Sequence, residues 1–261
     1  MPANYAHYRF GTAMLGAMPA DVQRTAKRFR RLYDIGLHGP DIFFYYNPLR
    51  QTKLGSLGSR MHQQTGKEFF GRLCRNIRLE PSQGAEAYLY GALCHYALDS
   101  VCHLLVIEQA QQGVAEHIRI ETEFDRFLLD MDGKHPPEKQ DLSKHLRLAP
   151  NECAVVARLY SGMTEKAVAT ALRNMSLATK ILTLGNDRSR QLMQKGLGVV
   201  SQRYQGFVMT KGPDMQCCAL DKPLLELYNQ AEEKFPDLLL QLCAHLTYNA
   251  PLGKDFSTIF G

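Results

Sequence analysis

The 261-residue chain predicts an all-α fold, a compact multi-helix bundle. Apolar residues recur at helical spacing through long segments, and no stretch alternates like a strand over a useful length. Breakers such as Gly39-Pro40-Asp41 and the polar run DGKHPPEKQD separate those segments. With 45% hydrophobic and 22% charged residues, the composition is that of an ordinary soluble globular protein.

Tyr5 to Met18 reads as a first helix. Asp21, after Pro19, is placed to cap a second that runs to about Gly36. Beyond the break at Gly39, Leu54 to Leu79 reads as a third helix interrupted by glycines. Ser82 precedes a long helix from about Glu86 to Gln112. Gly113 ends it, and another runs from about Ala115 to Met131. The loop Asp132 to Asp141 is the expected subdomain boundary. Beyond it lie four helical segments: Asn151–Tyr160, Thr164–Leu184, Asp187–Met209 and Leu224–Leu246. No internal repeat is visible. The expected organisation is a single all-α domain over 1–261, with a metal-site half at about 1–131 and an accessory helical half at about 142–261.

Bulk properties narrow the functional classes. A net charge of +5 is mild, permitting an acidic partner without demanding one. The start MPANYAHYRFG lacks a basic n-region followed by an apolar run, so no signal peptide is expected. No stretch of eighteen apolar residues occurs, so stable membrane insertion is not expected. Seven scattered cysteines, an odd count, fit reduced buried thiols and a cytoplasmic location. No CxxC pair offers a thiolate zinc site.

The stretch HYALDSVCH carries the chemistry. His95, Asp99 and His103 lie at four-residue steps, each about 40° further round a helix, so they share one face. Leu93, Ala97, Leu98, Val101, Leu104 and Val106 surround them with apolar side chains, which places the helix inside the bundle. Two imidazoles and a carboxylate buried there need partners. The next helix repeats the spacing with His117 and Glu121, and Gly113 allows the chain to reverse between the two. His7, Asp41 and His62 lie upstream. These eight residues form a nitrogen and oxygen set suited to zinc, and less specifically to iron or manganese. Asp99 is flanked so that it can bridge two ions, and ions about 3.5–4 Å apart are common machinery for attack on phosphate esters. By spacing alone, each histidine is also an ordinary packing residue.

The segments GPDIFFYY, the MH of SRMHQQTG, YLYGALCHYALDSVCH and HIRIETEFD, with the opening NYAHYRFG, resemble the zinc-dependent phospholipases C of bacteria. Fungal single-strand-specific zinc nucleases are more distant relatives of that family. The resemblance covers roughly the first half of the chain and implies an all-α fold of that type with two or three zinc ions. It implies that Asp41, His62, His95 and Asp99 hold one zinc, that His103, His117 and Glu121 hold a second, and that His7 serves a third with Asp99 as the bridge. A carboxylate at the position of Asp41 is implied as the base that activates water. The sequence departs from secreted members in lacking their tryptophan and in the short Asp99–His103 interval. It also shows no lipid-binding β-sandwich.

The expected activity is therefore metal-dependent hydrolysis of phosphoric esters by a phospholipase C-like phosphodiesterase. The substrate would be a phospholipid or a small soluble ester. A nuclease at the same site and a metal-binding protein without catalysis are the alternatives, with nucleic acid the less favoured partner. The aromatics Phe43, Phe44, Tyr45 and Tyr46 either wall the substrate cleft or pack their loop. Arg9 reads as a solvated surface arginine or as a partner of a phosphate or of Asp41. The stripe Arg24, Lys27, Arg28 and Arg31 reads as a solvated face first and as attraction for phospholipid headgroups or nucleic acid second. Glu123 and Asp125 read as solvated. His38, His135, His145 and His245 fall outside the ligand pattern.

Overall fold

The computed structural model describes residues 4–46, 55–184, 206 and 208–260. Its helices are α1 (Asn4–Ala17), α2 (Ala20–Arg28), α3 (Arg30–Gly36), α4 (Gly55–His62), α5 (Gly66–Leu79), α6 (Gln83–Gln111), α7 (His117–Met131), α8 (Pro150–Leu159), α9 (Glu165–Leu184) and α10 (Asp221–Tyr248). Short 3-10 turns occur at Gly39–Tyr45, Pro137–Lys139, Cys218–Leu220 and Lys254–Ser257. Among the described residues the only extended pairing is an isolated antiparallel bridge between Thr65 and Ile259. The all-α expectation holds.

Helix α6 is the axis. Its 29 residues are apolar on every side, and α1, α2, α3, α5, α7, α8 and α10 all pack against it. It is long and apolar enough to cross a membrane by composition, yet most of that apolar stretch is buried inside the protein. Ser82 caps it, its hydroxyl accepting from the Ala85 amide at 3.4 Å. The closest helix contact is with α3. A Cβ added at Gly91 would meet the Tyr33 carbonyl, and one at Gly36 would meet the Tyr88 carbonyl, so only glycines allow the two backbones this near.

Two expected helices are each broken in two. The second divides at Phe29, whose φ of −110° and ψ of 43° are not helical. The break lets α3 turn onto α6 and divides the basic stripe, with Arg24, Lys27 and Arg28 exposed on α2 and Arg31 exposed on α3. Asp21 lies in the first turn of α2 and Pro19 takes the cap position, with no side-chain cap bond. The third divides at Gln63–Thr65. There Thr65 and Glu68 form a capping box: the Thr65 side chain accepts from the Glu68 amide, and the Glu68 carboxylate accepts from the Thr65 amide at 2.8 Å. That T-x-x-E signature starts a new helix and leaves His62 as the last residue of α4. The segment Asp187–Met209 falls almost entirely outside the described residues.

The later helices brace the earlier ones. Tyr160, which closes α8, shares a hydrogen bond of 2.7 Å with Tyr88 on α6, and Tyr88 in turn donates to the Gly39 carbonyl. On α9, Asn174 donates to the Tyr45 carbonyl at 3.0 Å and Thr179 meets Asn4 at 2.9 Å. All seven cysteines are free thiols, five of them buried.

Candidate metal centre

The eight candidate ligands come from five elements: α1, the Asp41 turn, α4, α6 and α7. His7 arrives on α1, whose first turn is tied to α7: the Asp125 carboxylate accepts from the amides of Tyr5 at 2.9 Å and Ala6 at 2.8 Å. Tyr5 also donates to Asp132 at 2.7 Å, and Arg9 forms an ion pair with the same carboxylate at 2.8 Å. Asp125 is thus buried, not solvated. So is Glu123, which holds Arg126 at 2.7 Å. Arg9 also lies over the Tyr228 ring, so it is partnered instead of free on the surface.

Asp41 sits in the first 3-10 turn, directly after Gly39 and Pro40. Gly39 has a φ of 42°, which disfavours a side chain. A Cβ there would also lie 2.6 Å from the His95 ring. The glycine therefore both turns the chain and lets Asp41 approach α6. Of the aromatics after it, Phe43 is fully buried against Tyr160, with ring centroids 4.8 Å apart, while half-buried Phe44 lies 5.1 Å from His62. Phe43 packs the loop, and Phe44 lines the centre.

The eight residues meet in three groups: His7, His95 and Asp99; Asp41, His62 and His95, which share His95 with the first; and His103, His117 and Glu121. Within each group the ligand atoms lie within 4.8 Å of one another. His62 Nε2 is 2.8 Å from Asp41 Oδ1, His95 Nε2 is 3.0 Å from Asp99 Oδ2, and His7 Nε2 is 3.2 Å from Asp99 Oδ1. Glu121 Oε1 lies 2.9 Å from His103 Nε2 and 3.1 Å from His117 Nε2. Seven of the eight are buried; His117, at the start of α7, is half-exposed and marks the open side.

Three of the imidazoles are pinned through their other nitrogen. His62 Nδ1 donates to the Gly58 carbonyl at 2.8 Å, His95 Nδ1 to Leu37 at 3.2 Å, and His103 Nδ1 to Phe260 at 2.8 Å. A proton held on Nδ1 leaves the Nε2 lone pair facing inward, as metal-ligating histidines require. Asp41 Oδ1, His62 Nε2, His95 Nε2 and Asp99 Oδ2 are buried, near one another, and aligned for no hydrogen bond. Lone pairs that converge without a shared proton are what a cation site presents.

The electrostatics agree. Burial by itself would push the Asp99 carboxyl up, yet His103, His95 and His7 together hold it well below the ordinary range. Burial likewise opposes the Glu121 charge, yet the carboxyl is held well below the ordinary range, with His117 and His103 contributing. Asp41 is also lowered against its burial, with His95 and His62 contributing. Burial depresses the His103 imidazole, but Asp99 and Glu121 raise it to about 9. Three carboxylates are therefore ionised in a nearly dry pocket, an arrangement that needs positive charge beside it, supplied by imidazolium such as His103 or by a bound cation. The donor set fits zinc: neutral imidazole nitrogens and carboxylate oxygens, with no thiolate among them. His95 turns one nitrogen inward and belongs to two groups, and the two oxygens of Asp99 face His7 and His95 respectively.

What the sequence did not disclose is the outer layer. The carbonyls of Leu37, Gly58 and Phe260 have no side-chain signature. Buried His38 pairs with half-buried His145, Nε2 to Nε2 at 2.6 Å, with Tyr8 stacked on His145.

A family model described as zinc dependent phospholipase C matches residues 6–170, well over half of the chain. No curated protein and no solved structure matches it.

Proposed function

The chain belongs to the zinc-dependent phospholipase C family, and from that membership we propose that it hydrolyses phosphodiesters at the centre built from His7, Asp41, His62, His95, Asp99, His103, His117 and Glu121. One observation carries this reading: eight residues spread over 115 positions of the chain converge in three groups, and Asp41, His62, His95 and Asp99 turn buried, unshared lone pairs toward one another. The set accommodates two or three zinc ions. Asp41, His62, His95 and one Asp99 oxygen would hold one, and His103, His117 and Glu121 a second. His7 and the other Asp99 oxygen would contribute to a third.

Zinc supplies Lewis acidity there, lowering the pKa of water toward neutrality and offsetting charge that develops on phosphate oxygens. The protein's part is orientation. Asp41, ionised and facing inward from a fixed turn, is the group placed to accept a proton at Oδ1 or to aim the attacking water. Pinning His62, His95 and His103 from behind removes the rotameric freedom that would otherwise misplace their nitrogens. The apolar layer of Phe44 and Phe260 around His62 keeps the dielectric low, which strengthens every charge interaction inside.

The substrate class is a phosphodiester, either a phospholipid headgroup or a small soluble ester. The test is bound zinc by elemental analysis together with turnover of a chromogenic phosphodiester, before and after Asp99→Asn. The substitution removes the bridging charge. It should lower the zinc content and reduce turnover by at least about 100-fold, the scale of a lost catalytic electrostatic contact. Unchanged hydrolysis in the mutant would reject the site. Parallel assays on phosphatidylcholine vesicles and single-stranded DNA separate the lipase and nuclease forms of the same chemistry.

A further inference from the structure

We propose that residues 250–260, which lie outside the residues the family model matches, are a working part of the metal centre, with the Phe260 backbone carbonyl as the positioning group for His103. This inference rests on the proposed metal centre and adds a residue to it.

The segment returns from the end of α10 across α5 and α6 and is fastened at several points. The Gly253 amide donates to Gln241 Oε1 at 3.0 Å. The Tyr96 hydroxyl, one residue beyond His95, donates to the carbonyls of Asp255 at 2.8 Å and Thr258 at 3.1 Å. The Phe256 ring stacks on Tyr96, with centroids 5.7 Å apart and planes 5° from parallel. The Gly66 amide donates to Thr258 at 3.0 Å, and Thr65 bridges Ile259. These ties leave Phe260 little freedom. It is fully buried, its ring 5.9 Å from His95, 6.0 Å from His62 and 4.7 Å from Phe69. Its carbonyl accepts the Nδ1 proton of His103 at 2.8 Å.

The consequence is chemical. His103 reaches Glu121 through Nε2 at 2.9 Å. A carbonyl accepts and never donates, so the Phe260 oxygen requires the proton on Nδ1; a cation that displaces the proton Nε2 shares with Glu121 then finds that nitrogen's lone pair facing it. Without that carbonyl, His103 would be free to flip or to carry its proton on Nε2, where it blocks ligation.

The experiment compares the wild type with two variants, one ending at Thr258 and one carrying Phe260→Leu. The shortened chain keeps the Thr258 ties and loses the carbonyl; the leucine variant keeps the carbonyl and an apolar side chain. Zinc affinity is measured by competition with a chromophoric chelator, and folding by helical circular dichroism. The shortened chain should bind one zinc about 10–100-fold more weakly, the usual effect of removing such an outer hydrogen bond. The remaining zinc should be bound as in the wild type, and Phe260→Leu should restore the lost affinity. Unchanged zinc binding in a folded shortened chain would overturn the proposal, as would a leucine variant as impaired as the truncation. Should the shortened chain fail to fold, long-range proton–nitrogen NMR of the zinc-loaded wild type decides alone. A proton on His103 Nδ1 supports the assignment, and a proton on Nε2 refutes it. A wild type that binds no zinc would sink the hydrolase reading itself, an outcome distinct from either variant result.

Discussion

Asp99 and Asp221 are both buried carboxylates, and their surroundings set them apart. Asp99 is ringed by imidazoles that keep it charged. Asp221 is raised to about 7, first by burial and then by the neighbouring Glu123 carboxylate, with Arg126 only partly offsetting them. Linkage fixes the sign of its effect on stability. The folded chain keeps a proton on Asp221 between about pH 4 and 7 that the unfolded chain releases. That contribution to stability is complete below about pH 4 and is lost as the pH rises to 7. Asp221→Asn mimics the protonated form, so the mutant's melting temperature should match the wild type at pH 4. It should lie increasingly above the wild type toward pH 7 and hold that lead at pH 8. A difference that does not change with pH would refute the assignment. At this scale the ligands were legible because their chemistry resides in side chains and the i, i+4 spacing aligns them. The carbonyls of Leu37, Gly58 and Phe260 were not, since every residue has one. Asp125 and Glu123 misled in the opposite sense, because an acidic residue reads as surface until its partner is known.

The helices were legible and their breaks were not. Apolar periodicity passes unchanged through Phe29 and through Gln63–Thr65, because both halves of each broken helix face the same core. Those breaks nonetheless decide where His62 ends and where α3 meets α6. Element position matters as much for α1, which presents His7 only while Asp125 holds its first turn. Asp125→Ala removes an acceptor of two backbone amides at a helix start. Its cost should be about 1–2 kcal/mol in urea denaturation, the scale of a lost cap. Because α1 is then free to tilt away from α6, zinc stoichiometry should also fall, with the loss confined to the ion nearest His7. A stability loss with full zinc content would show that Asp125 caps the helix without orienting the ligand.

The whole molecule joins the two halves that composition separated. The accessory helices reach back to the centre: α8 through Tyr160 and Tyr88 to Gly39, α9 through Asn174 to Tyr45, and the segment after α10 through Phe260 to His103. Ligands drawn from α1, the Asp41 turn, α4, α6 and α7 are therefore fixed only when most of the bundle has assembled. The unfolded chain has no comparable site. A cation bound to such a centre should behave as a stabiliser of the whole fold. One zinc held at 100 times its dissociation constant contributes about 2.7 kcal/mol by mass action. For a chain of this size that corresponds to a rise of roughly 5–10 °C in the melting temperature. Removing zinc should withdraw that term once for each ion bound, leaving Asp41, Asp99 and Glu121 with only the imidazoles to offset their buried charge. Scanning calorimetry before and after dialysis against a chelator should show the transition move down by at least that interval. Stoichiometric zinc should restore it, and magnesium, which favours octahedral oxygen ligands and keeps its waters, should not. A melting temperature indifferent to zinc would mean that the converging imidazoles and carboxylates satisfy one another, and that the centre is a buried polar network instead of a metal site.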